Sequence, residues 1–157
     1  MTTKRRDRDL RKVVGLKWAI RAQSPWPKTK APTGTKAQGL GFERAVAREL
    51  PSAEHNPWFK FEDKRGVGFC SPDLLLVTRS GAAILECKLT AWGEAWEQLT
   101  HLYLPVVRLA LGVEPRLVCV VKYAAQDAQL VPTLREALNC TGRPVVHWIG
   151  KGPFPLR

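Results

Sequence analysis

Residues 72–88, PDLLLVTRSGAAILECK, constrain the fold more than any other stretch of the chain. Two apolar runs, residues 74–77 and 82–85, flank the turn Arg79-Ser80-Gly81, which is the pattern of a β-hairpin. Side chains alternate along a strand, so Glu86 and Lys88 project from one face while Leu85, Cys87 and Leu89 project from the other. With Asp73 opening the first strand, hairpin pairing brings it close to Glu86. Two carboxylates and an ammonium gathered this way can hold a divalent cation and position a water. Mg²⁺ suits them, being a hard ion that binds through one or two carboxylates and keeps waters for a phosphate to displace. Read alone, the same letters also fit a Pro-Asp turn followed by an ordinary exposed strand pair.

Size and composition bound the alternatives. The chain has 157 residues, one ordinary domain with room for a sizeable core, and 45% of them are hydrophobic. No apolar run approaches the roughly eighteen residues that span a bilayer, and the charged N-terminus lacks the apolar core of a secretory signal. Cys70, Cys87, Cys119 and Cys140 are widely spaced, with no C-x-x-C pair and no histidine cluster. They read as reduced thiols in a cytoplasmic protein rather than as a zinc site.

Charge is the strongest compositional signal. The net charge is +11, and residues 1–30 alone carry +8 of it. A basic N-terminal arm containing Lys4, Arg5, Arg6, Arg8, Arg11, Lys12 and Lys17 is therefore a candidate for neutralising nucleic-acid phosphates with salt-sensitive affinity. A solvated tail that keeps the protein soluble is the plainer reading. An anionic membrane surface fits worse, because the arm has no broad apolar face.

Along the chain, residues 8–22 read as a helix with Leu10, Val13, Val14, Lys17 and Trp18 as a mixed stripe. Residues 23–35, rich in proline, read as an extended linker. This divides the chain into an arm and linker, 1–36, and a folded domain, 37–157. The domain opens with a helix over 37–50, on which Glu43 lies on or beside the stripe of Val46, Ala47 and Leu50 that should face the sheet. A strand is expected near 57–62, and a Gly-rich approach over 66–71 leads into the hairpin. Beyond it, residues 94–111 read as a helix carrying Gln98, with a kink or break near Tyr103 because Pro105 removes a backbone hydrogen bond. Residues 116–122 form a continuous apolar run expected of a central strand. A helix over 126–139, interrupted by Pro132, and a strand over 145–149 complete an α/β fold: a mixed sheet of about five strands flanked by helices. His55, His101 and His147 are scattered and read as surface or partly buried residues.

Pro72-Asp73 followed by Glu86-Cys87-Lys88 resembles the signature of the PD-(D/E)XK nuclease superfamily, and GLGFERAVAREL, residues 39–50, is similar to the first helix of archaeal-type Holliday junction resolvases. The resemblance covers residues 37–125. It implies a restriction-endonuclease-like core and a Mg²⁺-dependent DNA endonuclease, with Mn²⁺ able to substitute, that leaves a 5′-phosphate. It further implies Asp73 and Glu86 as metal ligands with the Cys87 carbonyl beside them, and Glu43 completing the site or binding a second ion. Lys88 would position the attacking water and Gln98 would assist, with Glu94 and Glu97 as lesser alternatives. Tyr103 stands one position farther from Gln98 than in exonuclease-type relatives, a departure from that subgroup. The expected substrate is branched or duplex DNA, and two symmetric cuts in a junction imply a homodimer. The exposed apolar residues of the kinked helix and the C-terminal tail 152–156 are candidates for its interface. Other nucleases of the same fold, acting in nicking, repair or phage infection, stay open as alternatives. So does a non-catalytic nucleic-acid-binding protein.

Overall fold

The computed structural model describes residues 4–5, 12–27, 31–123 and 128–157. In chain order its elements are β1 (Lys4–Arg5), β2 (Trp18–Ala22), α1 (Gly34–Glu49), β3 (Glu54–His55), β4 (Trp58–Asp63), β5 (Gly66–Cys70), β6 (Leu74–Thr78) and β7 (Gly81–Lys88). There follow α2 (Trp92–Gln98), a π-helical turn (Leu99–Tyr103), α3 (Leu104–Leu111), β8 (Arg116–Val121), β9 (Gln129–Leu130), α4 (Leu134–Leu138) and β10 (Pro144–His147).

The strands make two sheets. A mixed six-stranded sheet runs β3-β6-β7-β8-β10-β9, and a four-stranded sheet runs β1-β5-β4-β2. The expected hairpin is β6 and β7, antiparallel with Leu74 opposite Leu85 and Thr78 opposite Gly81. β7 continues in parallel with β8, which is parallel to β10. Residues 82–87 of β7 are all buried, as a strand covered on both faces must be. Ala82 and Ile84 join the cluster under α2 and the π turn, while Ala83, Leu85 and Cys87 join the cluster under α1 and α4. Full burial of Ile84 and Leu85 contributes about 1.5–3 kcal/mol each. The inner face of the four-stranded sheet, with Phe59, Phe61 and Cys70, closes the first of these clusters, so α3 also touches β2 and β4.

Several elements differ from expectation. Where a helix is expected over residues 8–22, the described part holds β2, antiparallel to β4 with Ala19 opposite Phe61; residues 6–11 lie outside the described residues. Gly15, at a φ of 61°, turns the chain where a helix would have to continue. Beyond it Ala19 is buried against the sheet's inner face while Ile20, next along the strand, is exposed on the other. β2 is thus a strand of the folded sheet, although the expected division at residue 36 assigns it to the arm. α1 begins at Gly34, three residues early. The expected helix over 126–139 reduces to β9 and the short α4, which Thr133 caps by accepting the Glu136 N–H. Its residues 126 and 127 lie outside the described residues. The last strand covers residues 144–147 rather than 145–149, and the main sheet has six strands rather than about five, because β3 and β9 pair through only two residues each. The C-terminal tail is not free: Phe154 is buried against Trp148, and the carbonyls of Pro155 and Leu156 accept from Leu134 and Arg135. No helix among the described residues is long and apolar enough to cross a membrane.

The break expected near Tyr103 takes a defined form. The Leu104 N–H reaches back to the Leu99 carbonyl, a five-residue step, and Pro105 then sits in the first turn of α3, where its missing N–H is harmless. In a regular helix the His101 carbonyl would accept from residue 105. Pro105 cannot donate, and the Val13 N–H takes that carbonyl at 3.0 Å. The N-terminal segment is held next to this point by Asp63, 1% exposed, whose carboxylate accepts from the Val14 N–H at 3.1 Å and the Arg65 N–H at 2.9 Å.

Replacing Asp63 by alanine strands those two donors, each worth about 1–3 kcal/mol when buried and unpaired. Asp63→Ala should therefore lower unfolding stability by about 2–4 kcal/mol in a urea titration and speed hydrogen exchange at Val14. Asp63→Asn, which keeps one acceptor, should lose less.

Candidate active site

Where the β6–β7 ladder would continue past Leu74 and Leu85, Asp73 stands opposite Glu86 and side chains take over from backbone. The Asp73 N–H donates to Glu86 Oε1 at 2.9 Å, and the Cys87 N–H donates to Asp73 Oδ2 at 2.7 Å. Each carboxylate thus caps the other residue's strand end, and the arrangement fixes both side chains against the sheet. The Asp73 carbonyl is held in turn by the Asn56 N–H at 2.8 Å, so the strand end is tied to the segment after β3.

This clasp stands at a cleft of about 730 Å³. One wall is a single stripe of α1, made of Thr35, Lys36, Gly39, Leu40 and Glu43, whose spacing puts them on one helical face. The opposite wall includes Ser71, Asp73 and Lys88. Phe42, Ala45 and Val46 point from α1 into the core, so Glu43 sits at the edge of the core stripe rather than in it. Its side chain is 14% exposed and accepts a hydrogen bond from His55 Nε2 at 2.8 Å. Glu86 is 2% exposed and lies beneath the cleft surface.

Burial first, and then the neighbouring Glu43 charge, raise the Asp73 carboxyl from 3.8 to about 8. Burial and the Asp73 charge push Glu86 well above its usual range. Lys88 acts in the opposite sense on both acids, yet one ammonium does not offset two enclosed carboxylates. Burial also lowers the imidazole of His55, which keeps it neutral at pH 7. The Cys87 and Cys119 thiols are pushed up by burial, so neither offers a thiolate at neutral pH.

Of the residues singled out in the sequence, Glu43, Asp73 and Lys88 share the cleft and Glu86 adjoins it. Gln98 does not line it. It is 5% exposed on α2, which packs on β7 and β8, and its Oε1 has no hydrogen-bond partner among the described residues. Among the described residues no three or more His, Cys, Asp or Glu side chains form a group able to hold a metal by themselves. The pair Asp73 and Glu86 offers hard oxygen donors, a set that suits an ion completing its sphere with water. Of the arm, Arg6, Arg8 and Arg11 lie outside the described residues, and Lys4 and Arg5 are described only as the backbone of β1. Lys12 is exposed, and its carbonyl accepts from Arg65. Lys17 is not a free cation, for it pairs with Glu62 at 3.2 Å.

His55, Asn56, Trp58 and Ser71 are the residues that sequence reasoning missed. His55 and Asn56 reach the site because β3 pairs with the start of β6. The one local signal is the dipeptide His-Asn before Pro57, and Asn56 does take the left-handed backbone, φ 54°, that Asn tolerates. Comparison of the chain with protein-family models, with curated proteins and with solved structures gave no match.

The raised Asp73 fixes the sign of a pH effect. A group held protonated more strongly in the folded state than in the unfolded chain contributes stability that is complete below 3.8 and lost as pH rises through about 8. In EDTA the melting temperature should fall between about pH 4 and pH 8 and level off above that. Asp73→Asn, neutral and still able to accept from Cys87, should flatten that fall and melt higher than the parent at the alkaline end.

Proposed function

We propose that this protein is a Mg²⁺-dependent endonuclease with a restriction-endonuclease-like core, cutting phosphodiester bonds in DNA and selecting branched structures as junction resolvases do. The observation that carries the reading is the Asp73–Glu86 clasp: two enclosed carboxyl groups locked by backbone N–H bonds beside Lys88 at the edge of a cleft. A structural ion pair would be balanced, and a mere phosphate-binding surface would have no use for carboxylates here, since they repel the ligand. Further support comes from the antiparallel β6–β7 hairpin continued by parallel β8, with α1 and α2 on opposite faces, and from the sequence resemblance of residues 39–50 and 72–88.

In this reading Asp73, Glu86 and the Cys87 carbonyl would hold Mg²⁺. The ion, when bound, supplies Lewis-acid polarisation of the phosphate and lowers the pKa of a bound water. The chain's own residues do the rest. The two backbone N–H bonds hold the carboxylates of Asp73 and Glu86 in place before any ligand arrives, so little reorganisation is needed. Lys88 presents its ammonium to the attacking water and to the phosphate charge. Glu43, oriented by neutral His55, accepts a proton or a water at its carboxylate. The role that the resemblance implies for Gln98 has no contact behind it here, since its Oε1 has no hydrogen-bond partner among the described residues and Gln98 lies outside the cleft lining. Two symmetric cuts in a four-way junction call for a homodimer.

The test is cleavage of a labelled four-way junction beside linear duplex and single strands, with Mg²⁺, Mn²⁺ or EDTA. Paired cuts confined to the junction are expected, abolished by EDTA and by Glu86→Ala. Lys88→Ala should lower the rate by about 10²-fold or more while leaving binding in place. Binding without cutting under every metal would overturn the catalytic reading, and metal-dependent cutting of all three substrates would remove the junction selectivity.

A further inference from the structure

α1 carries two glycines in its interior, Gly39 and Gly41, at a cost in helix stability relative to alanine. Neither has a packing reason. A Cβ built at either position meets nothing within 4 Å, and neither needs the left-handed backbone that favours glycine. Their surroundings differ. Gly39 lines the cleft between Lys36 and Glu43, whereas Gly41 is exposed and does not.

We infer that Gly39 is a positioning residue for the nucleic-acid substrate: the bare backbone of α1 at this point lets a sugar–phosphate strand lie directly against the helix. The inference rests on the nuclease reading and names which wall of that cleft the strand touches. Two further observations fit a phosphate-bearing occupant. Lys36, one turn before Gly39 on the same stripe, is exposed and has no ion pair among the described residues. Ser71, across the cleft beside Asp73, is 3% exposed, and its hydroxyl has no partner among the described residues, a donor left for a ligand oxygen. Glycine is the residue that permits close approach of a backbone to a ligand, and a single methyl group on such a surface holds the strand off by more than an ångström.

The experiment compares the full-length parent with Gly39→Ala, Gly39→Leu and Gly41→Ala. It measures melting temperature, Kd for a labelled junction in EDTA, and KM and kcat for Mg²⁺-dependent cleavage. Both alanine variants should melt higher, by about 2–4 °C, because alanine is the better helix former and meets no obstacle. Gly41→Ala should keep the parent's Kd and KM. Gly39→Ala should raise both by about tenfold and Gly39→Leu by more, with a smaller effect on kcat, so that the loss grows with side-chain size while the fold is tighter than before. If Gly39→Ala binds and cuts like the parent, or if Gly41→Ala loses as much, the inference is overturned and the nuclease reading stands. A parent that neither binds nor cuts DNA overturns both.

Discussion

The structure depends on a pair of hydrogen bonds that no regular sheet contains. Past Leu74 and Leu85 the β6–β7 ladder passes from backbone to side chains, with Glu86 accepting from the Asp73 N–H and Asp73 accepting from the Cys87 N–H. The exchange closes the strand ends, but it encloses two carboxyl groups where burial opposes ionisation. A fold selected for stability alone would place neutral acceptors there, because unpaired buried charge is costly. In the function proposed above, both acids are kept beside Lys88 at a cleft because a cation would complete the balance.

The same economy of backbone partners shapes the other end of the molecule. Pro105 cannot donate, the helix absorbs the fault in a π turn, and the freed His101 carbonyl becomes the anchor for Val13. The N-terminal segment is thereby joined to the long helical rod at one point and to the hairpin of β4 and β5 at another, through Asp63. β2 follows in register with β4 and closes the apolar face that Phe59 and Phe61 present to the core. Segments expected to be an arm thus help complete the first hydrophobic cluster, which includes Ala19 and draws in Val13 and Leu16.

How much of the candidate site was legible varies with the range of the contacts. Asp73, Glu86 and Lys88 lie on one hairpin, so alternation and a short turn were enough to bring them together. Glu43 could be placed on a helix face, but its neighbour could not be read, because His55 reaches it through β3 pairing with β6. Gln98 was assigned to the correct helix, yet its side chain is enclosed outside the cleft lining, a matter of how α2 is seated on β7 and β8. The helix expected over residues 8–22 failed because one left-handed glycine interrupts it and the edge of β4 offers residues 18–22 a strand partner.

By itself the sequence determined the α/β class, the hairpin and its register, the central strand at residues 116–121, buried from Val118 onward, and the break before Pro105. These follow from local periodicity, turn chemistry and the missing proline N–H, which act within a few residues. Only the tertiary structure decided that there are two sheets, that β2 is a strand, and that Glu43, His55, Ser71 and Gly39 gather around the Asp73–Glu86 clasp. Those outcomes are settled by long-range pairing and by which face each helix can bury, and no stretch of chain carries that information alone.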